Sequence, residues 1–91
     1  MISVTERAKQ ELKRLLSQKV DWPQARLRLM DRGQGNLGLG IDIEAKGDQI
    51  VEYDGIKVLI VEPVLATSLN LVTLDIDDTP DGAELVIYEK S

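Results

Sequence analysis

The sequence contains no cysteine and no histidine. Disulfides, thiolate clusters, zinc fingers, cysteine nucleophiles and histidine general bases are therefore excluded within these 91 residues. Aromatic residues are scarce, with one Trp, two Tyr and no Phe, so we expect an aliphatic core of Val, Ile and Leu. No apolar run approaches the ~18 residues that a membrane helix needs. The first ten residues also lack a signal-peptide pattern. We therefore expect a cytoplasmic protein with no membrane partner.

Charge is distributed unevenly along the chain. The net charge is −5, but residues 1–32 carry eight Lys/Arg and four Asp/Glu, whereas residues 33–91 carry three and twelve. The basic third is best explained as the solvated face of a helix. Because the whole chain is acidic and has a single tryptophan, we expect no nucleic-acid partner.

The segment "SVTERAKQELKRLLSQK" is the clearest helix. Thr5 is the predicted N-cap, because its hydroxyl can accept a free N–H of the first turn. Ser3 with Glu6 offers an alternative capping box. A stripe with helical period is expected to face a sheet: Ala8, Leu12, Leu15 and Leu16.

After Ala25 the hydrophobic period changes from helical to the period of two that is typical of strands. Leu39, Ile41 and Ile43 are predicted to point inward, with Asp42 and Glu44 outward. Asp54-Gly55 predicts a tight hairpin turn. The apolar run 58–61 has no polar face, so we expect it to be covered on both sides. "EPVLATSLN" suggests a short helix or helical turn, with Pro63 near its first position.

These elements predict a single domain over residues 1–91, of the α+β, mainly β class. It would contain one N-terminal helix followed by about six strands.

Three kinds of catalytic or ligand site can be weighed from the residues. "DRGQGNLGLG" (31–40) lacks the Lys-Ser/Thr of a phosphate loop and leads into a strand, so a phosphate site is disfavoured. The acidic segment "DIDDTPDG" does not match the spacing of a calcium loop and is better explained as a solvated turn. With neither histidine nor cysteine, we expect no enzymatic activity.

The order of segments resembles the HesB-like domain of A-type iron–sulfur scaffold proteins, the IscA group. "ISVTERAKQELKRLL" is similar to that family's opening, "RLRL" and "GQGNLGLGIDI" to its strand, glycine loop and second strand, and "YDGIKVLIVEPVLATSLNLVTLDI" to its Asp-Gly stretch. The resemblance spans nearly the whole chain and implies a β-sandwich or barrel. Family members associate as dimers or tetramers, so the resemblance also implies a homo-oligomer.

The family's cluster ligands have no counterpart in these residues. Its loop cysteine aligns near Gln34 or Gly35, and the sequence given ends at "VIYEKS", before the position of the family's Cys-Gly-Cys motif. Iron–sulfur clusters are held by cysteine thiolates, with histidine in some centres. We therefore expect no cofactor and a non-catalytic binding or interaction module with a protein partner.

Two hypotheses about sites follow. The glycine loop is either a simple chain reversal or a partner-binding loop that uses Gln34, Asn36 and Leu37. The alternative function is an accessory role in iron or iron–sulfur metabolism, with iron bound weakly through carboxylates such as Asp42, Glu44 or Asp75.

Overall fold

Seven strands and two helices follow one another in the computed structural model, which describes residues 2–19, 22–33 and 36–89. They are β1 (Ser3–Val4), α1 (Glu6–Lys19), β2 (Ala25–Asp31), β3 (Leu37–Ile43), β4 (Gln49–Tyr53), β5 (Ile56–Val61), α2 (Pro63–Ser68), β6 (Val72–Thr79) and β7 (Gly82–Glu89). The predicted α+β, mainly β class is confirmed. The strand count was one short, because the two-residue β1 is too brief to show an alternation.

Helix α1 begins as its sequence predicts. The Thr5 hydroxyl accepts a hydrogen bond from the Ala8 N–H at 3.1 Å, which confirms Thr5 as the N-cap. Ser3 lies in β1, so the alternative capping box is not used. Ala8 and Leu12 are fully buried, whereas the other two residues of the predicted stripe are only partly buried.

The larger sheet has the strand order β3-β2-β5-β4 and is centred on β5. Strand β2 pairs with β5 in parallel, and β4 pairs with β5 as an antiparallel hairpin. Asp54 and Gly55 form the hairpin turn with φ of 55° and 76°, as the Asp-Gly pair predicts. All four residues from Val58 to Val61 are fully buried, which confirms that β5 is covered on both faces.

The smaller sheet has the strand order β1-β6-β7. Its inner face carries the buried Leu74 and Ile76, which lie opposite Ile87 and Leu85 of β7. Leu74 belongs to the same core cluster as Leu12 of α1 and residues of the larger sheet. Because α1 contacts strands of both sheets, it completes the core between them.

Strand β3 faces inward as predicted but is only partly covered. Ile41 and Ile43 lie opposite Leu27 and Ala25 on the inner face, as the alternation predicts. Their exposures are nevertheless 53% and 46%. They remain exposed because β3 is an edge strand and the inner face of the sheet is incompletely covered there. Leu39, the third residue predicted to point inward, is partly buried.

The connection from β3 to β4 forms a strap (residues 44–48) across the outer face of the larger sheet. The two strands lie at opposite edges, so the strap must cross β2 and β5. Arg28 of β2 lies beneath it and donates two hydrogen bonds to the Asp48 carboxylate, at 2.8 and 3.2 Å. It also donates to Asp42 of β3 at 2.7 Å. Ile60, beside Arg28 in the sheet, is fully buried.

The ion pair under the strap is shielded from solvent at its Asp48 end. The Asp48 side chain is only 2% exposed, and its carboxylate also accepts the Ala45 N–H. The hydrogen bonds from Arg28 lower the pKa of Asp48, and this effect exceeds the opposing effect of burial. For Asp42, the Ile43 N–H is the main cause of a lowered pKa, with Arg28 second.

We predict that Asp48→Asn destabilises the protein by about 1–3 kcal/mol, because hydrogen bonds to a charged group are lost in a shielded site. The Asp48 pKa is lower in the folded than in the unfolded state, so unfolding takes up a proton. The stability from this group is therefore complete above the unfolded pKa of ~3.9 and is lost as the pH falls through the folded value. Urea unfolding between pH 7 and pH 2 measures both effects.

Glu44→Gln is the matched control on the same strap. Glu44 pairs with Lys57 at 3.1 Å in a solvated position, so its loss should cost less than about 1 kcal/mol. An Asp48→Asn protein with the same acid sensitivity as wild type would contradict the role given to this pair.

Candidate functional site

The glycine loop is a hydrogen-bonded chain reversal between β2 and β3. The Asn36 N–H donates to the Gly33 carbonyl at 3.0 Å, and the Arg32 N–H donates to the Asn36 carbonyl at 2.8 Å. Gly33 has φ of 90°, a value that residues with a side chain rarely adopt. The expectation that the loop leads into a strand is confirmed. Gln34, the first of the predicted partner-binding residues, lies outside the described residues.

The other two predicted loop residues line a groove between the edges of the two sheets. We call it the open-side groove, and its volume is about 500 Å³. One wall is the start of β3 and the other is β7. The lining residues are Asn36, Leu37, Gly38, Leu39, Ala83, Glu84, Leu85 and Ile87.

The groove continues into a second, more apolar depression beside α1. This depression has a volume of about 240 Å³ and is lined by Leu15, Leu27, Leu39, Gly40 and Ile41. Leu39 lines both, so the inner face of β3 forms one apolar surface along the open side of the sandwich. The sequence reasoning did not select the β7 wall, because nothing local in "AELVIYE" indicates that it faces the glycine loop.

The two glycines within β3 have a packing role of their own. A Cβ atom on Gly40 would lie 2.6 Å from the Met30 sulfur, and one on Gly38 would contact the Arg32 side chain. The long side chains of Met30 in β2 and of Arg32 just after it therefore lie across β3 on the outer face. Their flexible ends cover the glycines, whereas the inner face of β3 remains accessible.

Glu84 is the one charged residue among those that line the open-side groove in the described part of the chain. It lies directly opposite Asp77 on β6. Asp77 raises the pKa of Tyr88, whose hydroxyl is 3.4 Å from that carboxylate. Because Glu84 alternates with the inward-facing Leu85 and Ile87, these acidic side chains lie on the outer face of the smaller sheet, which is electronegative there.

The carboxylates considered for weak iron binding are not brought together. Asp42 pairs with Arg28, and Glu44 pairs with Lys57. Asp75 lies on the smaller sheet, where the Thr5 hydroxyl and the Ile76 N–H bind it and lower its pKa. Within residues 2–19, 22–33 and 36–89, no group of three or more His, Cys, Asp or Glu residues could hold a metal ion.

The acidic segment 75–82 was predicted to be a solvated turn, but its residues up to Thr79 belong to β6, and only Pro80 and Asp81 form the turn to β7. Asp78 pairs with Arg7 at 2.5 Å, and the Thr79 hydroxyl donates to the Gly82 carbonyl across the β6–β7 turn.

No helix among the described residues is long and apolar enough to cross a membrane.

No family model matches the sequence, and no curated protein matches it significantly. Solved structures that share its fold include two whose descriptions name iron–sulfur clusters. The crystal structure of Escherichia coli SufA, involved in biosynthesis of iron–sulfur clusters, is 19% identical and has a TM-score of 0.62. That alignment covers 97% of this chain and 79% of SufA.

Two further solved structures share this fold. IscA with the [2Fe–2S] cluster is 19% identical, with a TM-score of 0.65 over 98% of this chain and 85% of that one. A protein from Aquifex aeolicus, solved by NMR, is 24% identical, with a TM-score of 0.62 over 97% of this chain and 90% of that one. The fold is therefore that of the IscA and SufA scaffolds, as the resemblance implies.

An iron–sulfur cluster does not fit the residues of the groove. Among the groove's described lining residues, Asn36 and Glu84 are the two with polar side chains, and the Glu84 carboxylate lies on the outer face of the smaller sheet; the others are aliphatic or glycine. Oxygen donors of this kind suit hard cations, whereas cluster iron is held by thiolates, with imidazoles in some centres. The donor set of this chain therefore differs from what the [2Fe–2S] form of the fold requires.

We predict that Gly33→Ala costs about 1–2 kcal/mol, because its backbone is left-handed. Gly40→Ala should cost much less, since the exposed and flexible Met30 can move aside. Asn36→Ala should be nearly silent, because within the described residues this residue is held by its backbone bonds and by no side-chain bond. Thermal unfolding of the three variants tests this order. A loss at Asn36 as large as that at Gly33 would contradict the chain-reversal interpretation.

Proposed function

We propose that this protein is a non-catalytic interaction module on the IscA and SufA fold, which binds a protein partner at its open-side groove. The observation that carries the proposal is the apolar inner face of edge strand β3, which reaches solvent at Ile41 and Ile43. Apolar side chains concentrated on one open face are typical of a contact surface for another molecule. The predicted loop residues Asn36 and Leu37 lie at one end of this face.

The chemistry of the site supports binding over catalysis. Among the described residues that line the groove, Asn36 and Glu84 alone have polar side chains, and Glu84 faces the outer side of the smaller sheet. The carboxylates whose pKa values are lowered are held by structural hydrogen bonds: Arg28 at Asp48, the Ile43 N–H and Arg28 at Asp42, the Thr5 hydroxyl at Asp75, and Arg14 at Glu11. These groups are stabilised as carboxylates and so are not suited to act as general acids.

The fold suggests the setting in which the partner is found. SufA is described as involved in biosynthesis of iron–sulfur clusters, and IscA is described with a [2Fe–2S] cluster. We propose that this chain acts in iron–sulfur metabolism as a binding partner that does not itself carry a cluster. The carboxylate alternative has less support, because Asp42, Glu44 and Asp75 are separately engaged. The cytoplasmic location remains a prediction.

Anaerobic reconstitution with iron and sulfide tests whether this chain carries a cluster. After desalting, we expect no absorption between roughly 320 and 450 nm, because the sequence offers no thiolate or imidazole. A cysteine-bearing scaffold of the same fold, treated in parallel, is the positive control. Stoichiometric bound sulfide on this protein would overturn the non-carrier assignment.

Site-specific photo-crosslinking in the source cell, at native expression level, tests the binding face. A crosslinking residue is placed at Asn36 or Ile41 on the open side, or at Val64 on α2 as the control. Val64 is apolar and 72% exposed but does not line the groove. We expect the same partner adduct from Asn36 and Ile41, identified by mass spectrometry, and none from Val64. Adducts from Val64 alone would contradict the proposed face.

A further inference from the structure

Two aspartates in the sequence, Asp54 and Asp81, are followed directly by glycine. An aspartyl–glycine bond rearranges slowly in water without an enzyme, because glycine has no side chain to hinder its nitrogen and its backbone turns freely. Both pairs lie at hairpin turns, one between β4 and β5 and the other between β6 and β7. The same chemistry is therefore available at two places in this fold, and their surroundings differ.

The rearrangement has two steps and conserves all atoms. The glycine nitrogen attacks Cγ of the aspartate carboxyl group, an N–Cγ bond forms, the nitrogen loses its proton and a water molecule leaves, which gives a succinimide ring. Water then adds to one of the two ring carbonyls and breaks its bond to the nitrogen. Opening at Cγ restores aspartate, whereas opening at the main-chain carbonyl leaves the chain linked through the side chain, as isoaspartate. Solvent is the only reagent.

Asp54 is restrained at its side chain and at its backbone. The Lys13 ammonium group donates to the Asp54 carboxylate at 2.9 Å and so ties the turn to α1. The Asp54 backbone is left-handed, with φ of 55°. The turn leads directly into β5, which is fully buried from Val58 to Val61. Movement of Cγ onto the Gly55 nitrogen therefore requires the ion pair to break and disturbs the start of the central strand.

Asp81 has fewer restraints. Residues 80–84 are all exposed, and they lead into β7 at the edge of the smaller sheet. The Asp81 N–H donates to the Thr79 hydroxyl at 3.2 Å, but within the described residues no hydrogen bond or ion pair holds the Asp81 carboxylate. Exposed segments with few buried contacts open at the lowest free energy in a fold. The two reacting atoms therefore meet more often at Asp81 than at Asp54.

We propose that Asp81 is a site of spontaneous isoaspartate formation in this protein, and that Lys13 protects Asp54 from the same reaction. This inference is independent of the proposed function. Isoaspartate adds one carbon atom to the main chain between Pro80 and Gly82. It therefore disturbs the pair of Thr79 with Gly82 that closes the β6–β7 hairpin, next to the residues of β7 that line the open-side groove.

Incubation of the full chain in H₂¹⁸O at neutral pH tests the site. Each opening of a succinimide by water leaves an ¹⁸O atom in that residue, whichever product forms. Trypsin places the two aspartates on separate peptides, 47–57 and 58–90, and fragment ions from mass spectrometry locate the label within each. We expect Asp81 to be labelled at least about fivefold faster than Asp54, because the ion pair and the buried strand both restrain Asp54.

Matched controls separate the fold from the local sequence. The chain unfolded in urea lacks these restraints and should label both aspartates at similar rates. Asp81→Glu keeps the charge but requires a larger ring, so position 81 should stay unlabelled. Lys13→Ala should speed the labelling of Asp54 by about two- to fivefold, whereas Lys13→Arg keeps the ion pair and should leave it slow. Thermal unfolding confirms that each variant is folded before the incubation.

Three results would overturn the proposal. In the folded protein, label at Asp54 that appears as fast as label at Asp81 would show that the two turns do not differ in reactivity. Label at position 81 no greater in the wild-type chain than in Asp81→Glu would show that this site does not react. Labelling of Asp54 that Lys13→Ala leaves unchanged would remove the protective role of Lys13.

Discussion

The burial of β5 is the constraint on which the rest of the fold depends. Its four residues from Val58 to Val61 are fully buried, so both faces and both edges of this strand must be covered. Strands β2 and β4 pair with the edges. On the inner face the core includes Leu12 of α1 and Leu74 of the smaller sheet. On the outer face the strap covers Arg28 and Ile60, and Asp48 of the strap forms an ion pair with Arg28.

Covering the centre of the sheet leaves one of its edges open. Helix α1 and the smaller sheet pack over the middle of the larger sheet, and β3 extends beyond them. The apolar residues on its inner face therefore border a groove instead of lying in the core. The same arrangement that stabilises the fold thus leaves an apolar surface accessible along this edge.

The stability of this fold is physically separate from the ligand chemistry found in structures that share it. Its core is an aliphatic cluster that includes no residue of the glycine loop at positions 33 or 36. Leu37, at the start of β3, only packs against that cluster from one side. A loop that reverses the chain through its own backbone bonds can therefore change its side chains while the sheets remain intact. This explains how a chain without cysteine or histidine adopts the fold of IscA and SufA.

Local chemistry was enough to predict several features from the sequence alone. The Thr5 cap, the Asp54-Gly55 turn and the apolar run of β5 each depend on residues close together in the chain. The missing thiolates are likewise a property of composition. Only the tertiary structure decided which faces are covered. Alternation placed Ile41 on the inner face, but its exposure follows from the position of β3 at the edge of the larger sheet. The partnership of Arg28 with Asp48 joins residues 20 positions apart, and the groove joins Leu39 to Leu85, because packing brings together residues that no local pattern relates.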